Sequence, residues 1–433
     1  MSEWIKSIYK VLLILVVSIA VGLLGLLVVY SMPIEMSLNT LKGSIYIYEK
    51  EGAYPNWANG KASSMLDNFT DSIMLRNVIY PGSGSVLKDA VLNPKLDYKN
   101  CDTIQSLIVQ LKGEDREYFV SYYPRYWHGY LIILKPLTCL INVSYIRLLN
   151  LILQMLVTAY LVFHLGIDLG KGVGISYLFT YLFFNPASLA MSMQFSSSFY
   201  VMSLILIVLL KWWNFFIRSN IFLYLFLVSG IATSYFDLLT YPLITLGIPL
   251  SVFFIKVYQK NCDDLKIEDR KKALRIVMSS SLFWFIGYGG MYFGKWLLAW
   301  YVTDFSVVVE SLNQLQYRMS NYTSSYEGGQ VITPVLAIIR NILMLCYEPI
   351  SLVLLITWIF CLYKLNRIKK MSSCQDFKAL KFGLRFIMLL PFIWYFLLCN
   401  HSFIHSFFTY RTLSILVFAE GCYITTCFRE KSL

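Results

Sequence analysis

The chain has 433 residues, of which 57 % are hydrophobic and only 14 % charged, and its formal net charge is +12. Ordinary soluble domains contain about a quarter charged residues, so the composition excludes a water-soluble enzyme, a disordered chain and a disulfide-rich secreted domain. The long apolar runs also differ from the short alternating segments of a membrane barrel. The sequence therefore predicts an all-α integral membrane protein.

The first apolar run, residues 11–30, is long enough to cross a hydrocarbon core of about 30 Å. Lys6 and Lys10 precede it and no small-residue cleavage site follows, which favours an uncleaved anchor. The remaining apolar runs bring the predicted number of transmembrane helices to about ten; they are 145–165, 172–187, 194–212, 220–236, 240–258, 276–303, 349–363, 384–400 and 410–428. Arg340 and Asn341 interrupt one more run, 333–347.

The distribution of lysine and arginine predicts the orientation. With the N-terminus inside and 333–347 not crossing, the inside segments hold 21 of the 37 Lys and Arg residues. Those segments are 1–10, 166–171, 211–219, 256–275, 364–385 and 429–433. Because cytoplasmic loops carry the excess of positive charge, we expect a multi-pass protein of a bacterial plasma membrane with both termini cytoplasmic. The run 333–347 is then a re-entrant or interfacial helix on the outer side.

The chain thus reads as one polytopic membrane domain, residues 1–433. Within it, 32–142 is a long extracytoplasmic loop carrying short helices, and 304–348 is an outer loop that includes the re-entrant helix. The long loop contains 11 basic and 11 acidic residues. Carriers usually place polar residues near the bilayer midplane in paired halves. Here the polar chemistry is concentrated in outer loops and no internal repeat is found, which argues against transport.

The first candidate motif is a pair of acids, Asp67 and Asp71, in the long loop. Four residues apart, they share one face of a helix, where two like charges destabilise each other unless a cation or a proton lies between them. In one interpretation Asp67 only caps a short helix. In the other, a carboxylate deprotonates an acceptor hydroxyl while the second positions it. We predict Asp67 as the catalytic base and Asp71 as its partner.

The second motif is aromatic and basic, with Arg125, Tyr126, Trp127 and His128 at its centre. Such a string can be a plain interfacial belt. It can also bind a phosphorylated lipid headgroup, since arginine binds phosphate with two parallel hydrogen bonds and aromatic faces pack on sugar rings. All four residues are predicted to bind substrate.

The third motif lies between the last two spans and contains His401, His405, Tyr410 and Arg411. Histidines four apart can ligate a metal on a helix, but no third ligand is near and the nine cysteines show no metal-binding spacing. We therefore predict no metal site, and expect these residues to bind phosphate or sugar hydroxyls. A satisfied structural histidine pair is the alternative.

Two basic residues in apolar surroundings complete the predicted substrate-binding set. Lys295 lies in a predicted span and can extend its ammonium group toward the outer interface. Arg340 interrupts the re-entrant run, and because its charge is costly in lipid we expect it to face a protein cavity.

With its uneven bundle of spans and long first outer loop, the chain resembles GT-C type glycosyltransferases of the bacterial cell envelope. In protein O-mannosyltransferases and aminoarabinose transferases of that superfamily, an acidic motif beginning Asp-Glu opens a short helix of this loop. The matching place here holds Asp67-Asn68, with Asp71 one turn later, so the second position departs from the family pattern. The strings at 125–129 and 401–411 also look like those of multi-span bacterial proteins of this type.

The resemblance implies a polyprenyl-phosphate sugar donor, an envelope glycan or lipid acceptor, and inversion at the anomeric carbon. It places the lipid tail between spans and the phosphate at the outer interface. A requirement for Mg²⁺ or Mn²⁺ stays open, and nothing points to nucleic acid as a partner. The alternative functions are a glycan polymerase or ligase that uses a lipid-linked oligosaccharide, and a non-enzymatic lipid or glycan transporter.

Overall fold

The computed structural model describes residues 3–58, 60–217, 221–260, 267, 269–303, 306–346, 356–357, 360 and 375–429. These residues are mainly helical. The helices are Glu3–Ser31, Glu35–Leu41, Ile45–Glu51, Asn68–Val78, Val86–Leu92, Thr103–Lys112, Leu131–Thr138, Val143–Leu169, Lys171–Phe183, Pro186–Met191, Met193–Lys211, Trp213–Phe216, Phe222–Phe236, Ile244–Lys260, Arg270–Val302, Val307–Met319, Pro334–Cys346, Gln375–Leu397, Cys399–Ile404, Ser406–Thr409 and Ser414–Arg429.

Five of these helices are long and apolar enough to cross a membrane, which agrees with a helical multi-pass membrane protein. They contain the segments Ile5–Ser31, Val143–Leu169, Met193–Lys211, Arg270–Val302 and Phe377–Leu397. Each predicted apolar run except 349–363 coincides with a helix. Most of 349–363 lies outside the described residues, and the count of ten spans stays a prediction. The run 333–347 forms the 13-residue helix Pro334–Cys346, and its path relative to a membrane also stays a prediction.

The closest packing in the bundle joins helices Phe222–Phe236 and Arg270–Val302. Two glycines make this contact possible. A Cβ atom at Gly230 would lie 2.0 Å from the carbonyl oxygen of Trp284, and one at Gly287 would lie 2.1 Å from that of Leu227. Small residues let helix backbones approach in this way, as in other membrane bundles.

Residues 32–142 fold at the end of the bundle where helix Glu3–Ser31 ends and helix Val143–Leu169 begins, which we call the loop side. Besides the predicted short helices, this segment contains an antiparallel two-stranded sheet, Pro94–Tyr98 with Tyr118–Tyr122. The described part of the chain is therefore not purely helical. The sequence analysis did not predict this sheet, because each strand is only five residues long.

Buried polar contacts fix the loop to the bundle. The ammonium group of Lys295 donates to the carbonyl oxygen of Ala90 at 2.9 Å and to Oδ1 of Asn93 at 2.7 Å. The indole of Trp127 donates to the carbonyl oxygen of Met291 at 2.7 Å. These hydrogen bonds attach the loop segments that contain Ala90, Asn93 and Trp127 to helix Arg270–Val302.

Candidate functional site

The feature best suited to bind a ligand is a cavity of about 600 Å³ at the loop side, which we call the arginine cavity. It lies between helices Arg270–Val302, Val307–Met319 and Gln375–Leu397, and is bounded by the loop segment 123–126. Its lining contains two arginines and a large share of aromatic rings: Tyr123, Arg125, Tyr126, Leu239, Phe285, Tyr288, Gly289, Tyr292, Phe293, Trp296, Ser311, Gln314, Leu315, Arg318, Met319, Trp394, Leu397 and Leu398.

Arg125 enters the cavity from the long loop. Its guanidinium group packs on the ring of Tyr123, 5.1 Å from the ring centre, and Nη1 lies 3.3 Å from a carboxylate oxygen of Glu310. Its backbone carbonyl accepts a hydrogen bond from the indole of Trp296 at 3.0 Å. The buried Nε–H has no hydrogen-bond partner among the described residues. The side chain is thus positioned firmly but keeps a free donor.

Arg318 also lines the cavity and lies near the end of helix Val307–Met319. The nearest carboxylate oxygen, on Glu327, is 4.0 Å from Nη1, and within the described part of the chain this buried Nη1 makes no hydrogen bond. Two guanidinium groups with free N–H donors therefore line one cavity. A planar fork of donors of this kind matches the oxygens of a phosphate group.

Aromatic rings form the walls around the two arginines. The ring centres of Tyr126 and Tyr292 are 5.9 Å apart and those of Tyr288 and Tyr292 are 5.1 Å apart, both edge to face. The buried indole N–H of Trp394 has no partner in the described chain. Such walls offer flat apolar faces together with polar donors, a combination that suits a sugar ring.

Part of the cavity lining is apolar and exposed. Phe285, Phe293 and Leu397 belong to it and are themselves 62 %, 52 % and 47 % exposed. They lie on two of the candidate membrane spans. Gly289 lies in the same wall, and a Cβ atom there would meet no other atom within 4 Å. The cavity therefore joins a cationic end to an opening that faces the position of lipid.

Among the residues of the second motif, Arg125 and Tyr126 line the cavity, whereas Trp127 and His128 do not. His128 is buried behind the wall, where Nε2 lies 2.8 Å from the carbonyl oxygen of Tyr123 and Nδ1 lies 2.7 Å from the hydroxyl of Tyr130. Burial lowers the pKa of His128 to about 3, so the ring is neutral at pH 7. Trp127 and His128 therefore pack inside the protein and do not face the cavity.

The two acids of the first motif both hold helix ends. The Asp67 carboxylate caps its own helix, accepting from the backbone N–H of Thr70 at 2.9 Å and from its hydroxyl at 3.0 Å. Asp71 accepts from the backbone N–H groups of Met193 and Gln194, each at 3.0 Å. Burial raises the pKa of Asp67 to about 6 and that of Asp71 to about 7. Neither residue lines the arginine cavity.

The third motif is not brought to the arginine cavity either. His401 donates from Nε2 to the carbonyl oxygen of Leu239 at 2.8 Å, and its ring centre is 4.9 Å from that of His405. Burial lowers the pKa of His405 to about 3 and lowers the pKa of His401 as well. The two histidines are therefore a neutral, packed pair behind Leu239, which itself lines the cavity.

Arg411 is fully buried at a different place. Its Nε donates to the carbonyl oxygen of Phe184 at 2.7 Å, and its guanidinium lies 4.5 Å from the ring centre of Phe195 and 4.9 Å from that of Tyr410. The expectation that Arg125, His128, His401, His405 and Arg411 line one cavity is thus not met. Only Arg125 lines the arginine cavity, whereas His128, His401 and Arg411 are buried elsewhere and His405 is half-buried.

Lys295 and Arg340 have packing partners of their own. Lys295 is completely buried and directs its ammonium group to Ala90 and Asn93, so it does not extend to an interface. The guanidinium of Arg340 lies 4.4 Å from the ring centre of Phe403. Neither lines the arginine cavity.

Arg318 and the aromatic residues of the bundle line the cavity but were not among the predicted site residues. A signal for the aromatics was present: Tyr288, Tyr292 and Trp296 are spaced four apart and therefore form a stripe on one helix face. Arg318 carries no comparable signal, since an arginine in a polar outer loop is ordinarily solvated.

Within the described ranges no group of three His, Cys, Asp or Glu side chains could hold a metal ion. Comparison with protein-family models, with curated proteins and with solved structures gives no match.

Proposed function

We propose that this protein is a membrane glycosyltransferase that transfers a sugar from a polyprenyl-phosphate-linked donor to a cell-envelope glycan or lipid. The observation that carries the proposal is the arginine cavity, in which two guanidinium groups with free donors face aromatic walls above an opening between two candidate spans. A cationic end, aromatic faces and an apolar exit match the three parts of such a donor.

Each part of the donor has a place in this cavity. Its phosphate binds between Arg125 and Arg318, where charge-assisted hydrogen bonds are strongest. The sugar packs on the aromatic wall formed by Tyr126, Tyr292 and neighbouring rings. The isoprenoid chain leaves past the exposed side chains of Phe285 and Phe293 and continues into lipid.

The proposed reaction is an inverting displacement. The hydroxyl oxygen of the acceptor attacks the anomeric carbon, and the bond between that carbon and the phosphate oxygen breaks. The bonding electron pair remains on the phosphate, whose negative charge Arg125 and Arg318 stabilise. The hydroxyl proton passes to a carboxylate.

We propose Asp67 as that carboxylate and Asp71 as its partner. Neither lines the arginine cavity in this structure, so the proposed step requires the helix that begins after Asp67 to approach the bound donor. Both hydrogen bonds to the Asp67 carboxylate come from Thr70, so an arriving hydroxyl would compete with one threonine side chain. The pKa values of Asp67 and Asp71, raised to about 6 and about 7, suit a base that works near neutral pH. Asp71 holds the backbone of Met193 and Gln194, and in this proposal it fixes the position of the Asp67 helix.

The test is transfer of radiolabelled sugar from a polyprenyl phosphate in proteoliposomes, with an envelope extract as the source of acceptor. We expect wild type to move label into a glycan or lipid fraction, and the double variant Arg125→Gln/Arg318→Gln to lose at least about 100-fold of this rate, as removal of oxyanion stabilisation does. Arg116→Gln is the matched control, since Arg116 is an exposed loop residue paired with Glu114.

Three results would contradict the proposal. If the double variant transfers sugar at the wild-type rate, the arginine cavity is not the donor site. If labelled lipid crosses the bilayer without sugar transfer, the protein is a transporter. Transfer of a preassembled oligosaccharide, but not of a single sugar, would indicate the polymerase or ligase alternative.

A further inference from the structure

A second cavity, of about 410 Å³, lies at the loop side and is almost wholly lined by carbon; we call it the apolar cavity. Helices Leu131–Thr138, Val143–Leu169 and Met193–Lys211 form it. The lining residues are Met74, Tyr130, Ile133, Leu134, Leu137, Ile146, Leu149, Asn150, Leu153, Met193, Ser196, Ser197, Tyr200, Val201, Leu204 and Phe236.

The position and length of this cavity match one lipid chain. Two of its three helices are candidate membrane spans, and the mouth residues Leu153 and Leu204 are 42 % and 59 % exposed. The lining runs from Met193 to Leu204, a helical rise of about 16 Å, which is half of the ~30 Å hydrocarbon core. The surroundings of the mouth are therefore hydrocarbon of one leaflet.

A polar cluster borders the cavity below its loop-side end. The Asn150 amide donates to the hydroxyl of Ser196 at 2.7 Å, and the hydroxyl of Tyr200 donates to the Asn150 carbonyl at 2.6 Å. The amide of Gln154 contacts the same pair, and its buried Oε1 has no hydrogen-bond partner among the residues described. Gln154 does not itself line the cavity, but Asn150, Ser196 and Tyr200 do, and this polar border suits an amphiphile that carries a hydroxyl group.

The two cavities share a wall. Phe236 lines the apolar cavity and Leu239, three residues later, lines the arginine cavity. In the loop segment, Tyr130 lines the apolar cavity and Tyr126 lines the arginine cavity. Leu239 has a positive backbone φ of 64°, and His128 in the other segment has one of 57°. Non-glycine residues in this conformation are uncommon and cluster at functional sites.

The loop-side end of the apolar cavity lies at the predicted acids. Met193, which lines the cavity, donates its backbone N–H to the Asp71 carboxylate at 3.0 Å. Met74 lines it as well and follows Asp71 by one helical turn. An amphiphile with its chain in this cavity therefore brings its polar end toward the acidic motif.

We propose that the apolar cavity binds the hydrocarbon chain of the acceptor, which is therefore a membrane lipid with a free hydroxyl group and not a free glycan. This inference rests on the proposed function, because it assigns the second substrate of the same transfer. The donor then occupies the arginine cavity and the acceptor chain the apolar cavity, and transfer requires the acceptor hydroxyl to reach the donor around the Phe236–Leu239 wall.

The probe for the test is a long-chain alcohol with a photoreactive diazirine in its chain, used with purified protein in nanodiscs. We expect crosslinks on peptides that contain Leu153 or Leu204. Leu153→Trp and Leu204→Trp should lower this labelling at least tenfold and raise the acceptor KM of transfer, with little effect on folding because both side chains are exposed. Leu156→Trp is the control, since Leu156 lies on the same helix, is 62 % exposed and does not line the cavity.

The outcomes separate this inference from the proposed function. Farnesyl phosphate should bind all three tryptophan variants as it binds wild type, because it uses the arginine cavity. If Leu153→Trp and Leu204→Trp are labelled as strongly as wild type while donor binding is intact, the inference is overturned and the donor site is not. Labelling that these variants abolish without any change in acceptor KM would also overturn it, since the cavity would then hold an ordinary bilayer lipid. If the wild-type protein does not bind farnesyl phosphate, the proposed donor site is contradicted instead.

Discussion

Replacement of Arg318 by glutamine tests the donor site with little risk to the fold. Among the described residues the guanidinium makes one ion pair, at 4.0 Å to Glu327, and a partly exposed pair of this kind contributes ~0–1 kcal/mol to the free energy of unfolding. Glutamine keeps most of the length and a hydrogen-bond donor. We therefore expect the melting temperature of Arg318→Gln to remain near that of wild type.

The affinity for an isoprenyl phosphate should change much more. A hydrogen bond to a charged group is worth ~1.5–3 kcal/mol, and each ~1.4 kcal/mol is a factor of ten in Kd. Loss of the Arg318 contact should thus raise the Kd for farnesyl phosphate by about 10-fold to about 150-fold. Arg125→Gln should have an effect of similar size, since its Nε–H is also free.

The assay is a titration of farnesyl phosphate against purified protein in nanodiscs, with farnesol as the uncharged comparison ligand. The Arg318→Gln effect should be large for the phosphate and small for the alcohol. Arg116→Gln, which removes a loop arginine outside the cavity, should bind as wild type does. A change below twofold in Kd for folded Arg318→Gln would refute the reasoning that this guanidinium receives the phosphate.

Three further predictions follow from particular contacts. Gly289→Trp should block the apolar opening and lower farnesyl phosphate affinity at least tenfold at unchanged melting temperature, while Gly289→Ala, whose Cβ meets nothing within 4 Å, should bind normally in the same titration. Gly287→Ala should destabilise the protein by about 1–3 kcal/mol, seen as a lower melting temperature, because its Cβ would lie 2.1 Å from a carbonyl oxygen. The raised pKa of Asp71 means that the folded state binds this proton more tightly than the unfolded chain, so stability falls as pH rises from about 4 to about 7, at up to ~1.4 kcal/mol per pH unit. Melting curves should accordingly show the stability of Asp71→Asn rising relative to that of wild type between about pH 4 and about pH 7. A difference in stability between the two proteins that does not change with pH would contradict this prediction.

Much of the membrane part could be predicted from the sequence, because apolar runs report burial in lipid directly. Helices such as Val143–Leu169 and Met193–Lys211 coincide closely with their runs. The two-stranded sheet Pro94–Tyr98/Tyr118–Tyr122 could not be predicted in the same way. Its strands are only five residues long, too short for the alternation in Pro94–Tyr98 to identify a strand, and their pairing depends on contacts between distant positions.

The candidate site was predicted only in part. Arg125 and Tyr126 stand out in sequence and do line the cavity, whereas His128 and Arg411 stand out equally and are enclosed by protein. A sequence string shows which residues are chemically able to bind phosphate. Whether a guanidinium meets backbone carbonyls, as Arg411 does, or an open cavity depends on the packing of separate helices.

The Asp67–Asp71 spacing shows the same ambiguity. Both the catalytic and the capping interpretation place an acid at the start of a helix, and the capping contact to Thr70 is present. Asp71 also accepts hydrogen bonds from the start of the Met193–Lys211 helix, and no pattern in the sequence predicts this contact. That contact joins positions more than a hundred residues apart.

The central claim is that the arginine cavity receives the phosphate of an isoprenoid lipid, and a cryo-electron-microscopy structure of the protein in nanodiscs with farnesyl phosphate tests it most directly. The phosphate density should lie within hydrogen-bond distance of both Arg125 and Arg318, with the chain leaving past Phe285 and Phe293. Density for the phosphate at any other place, with the space between the two arginines filled by water alone, would contradict the claim.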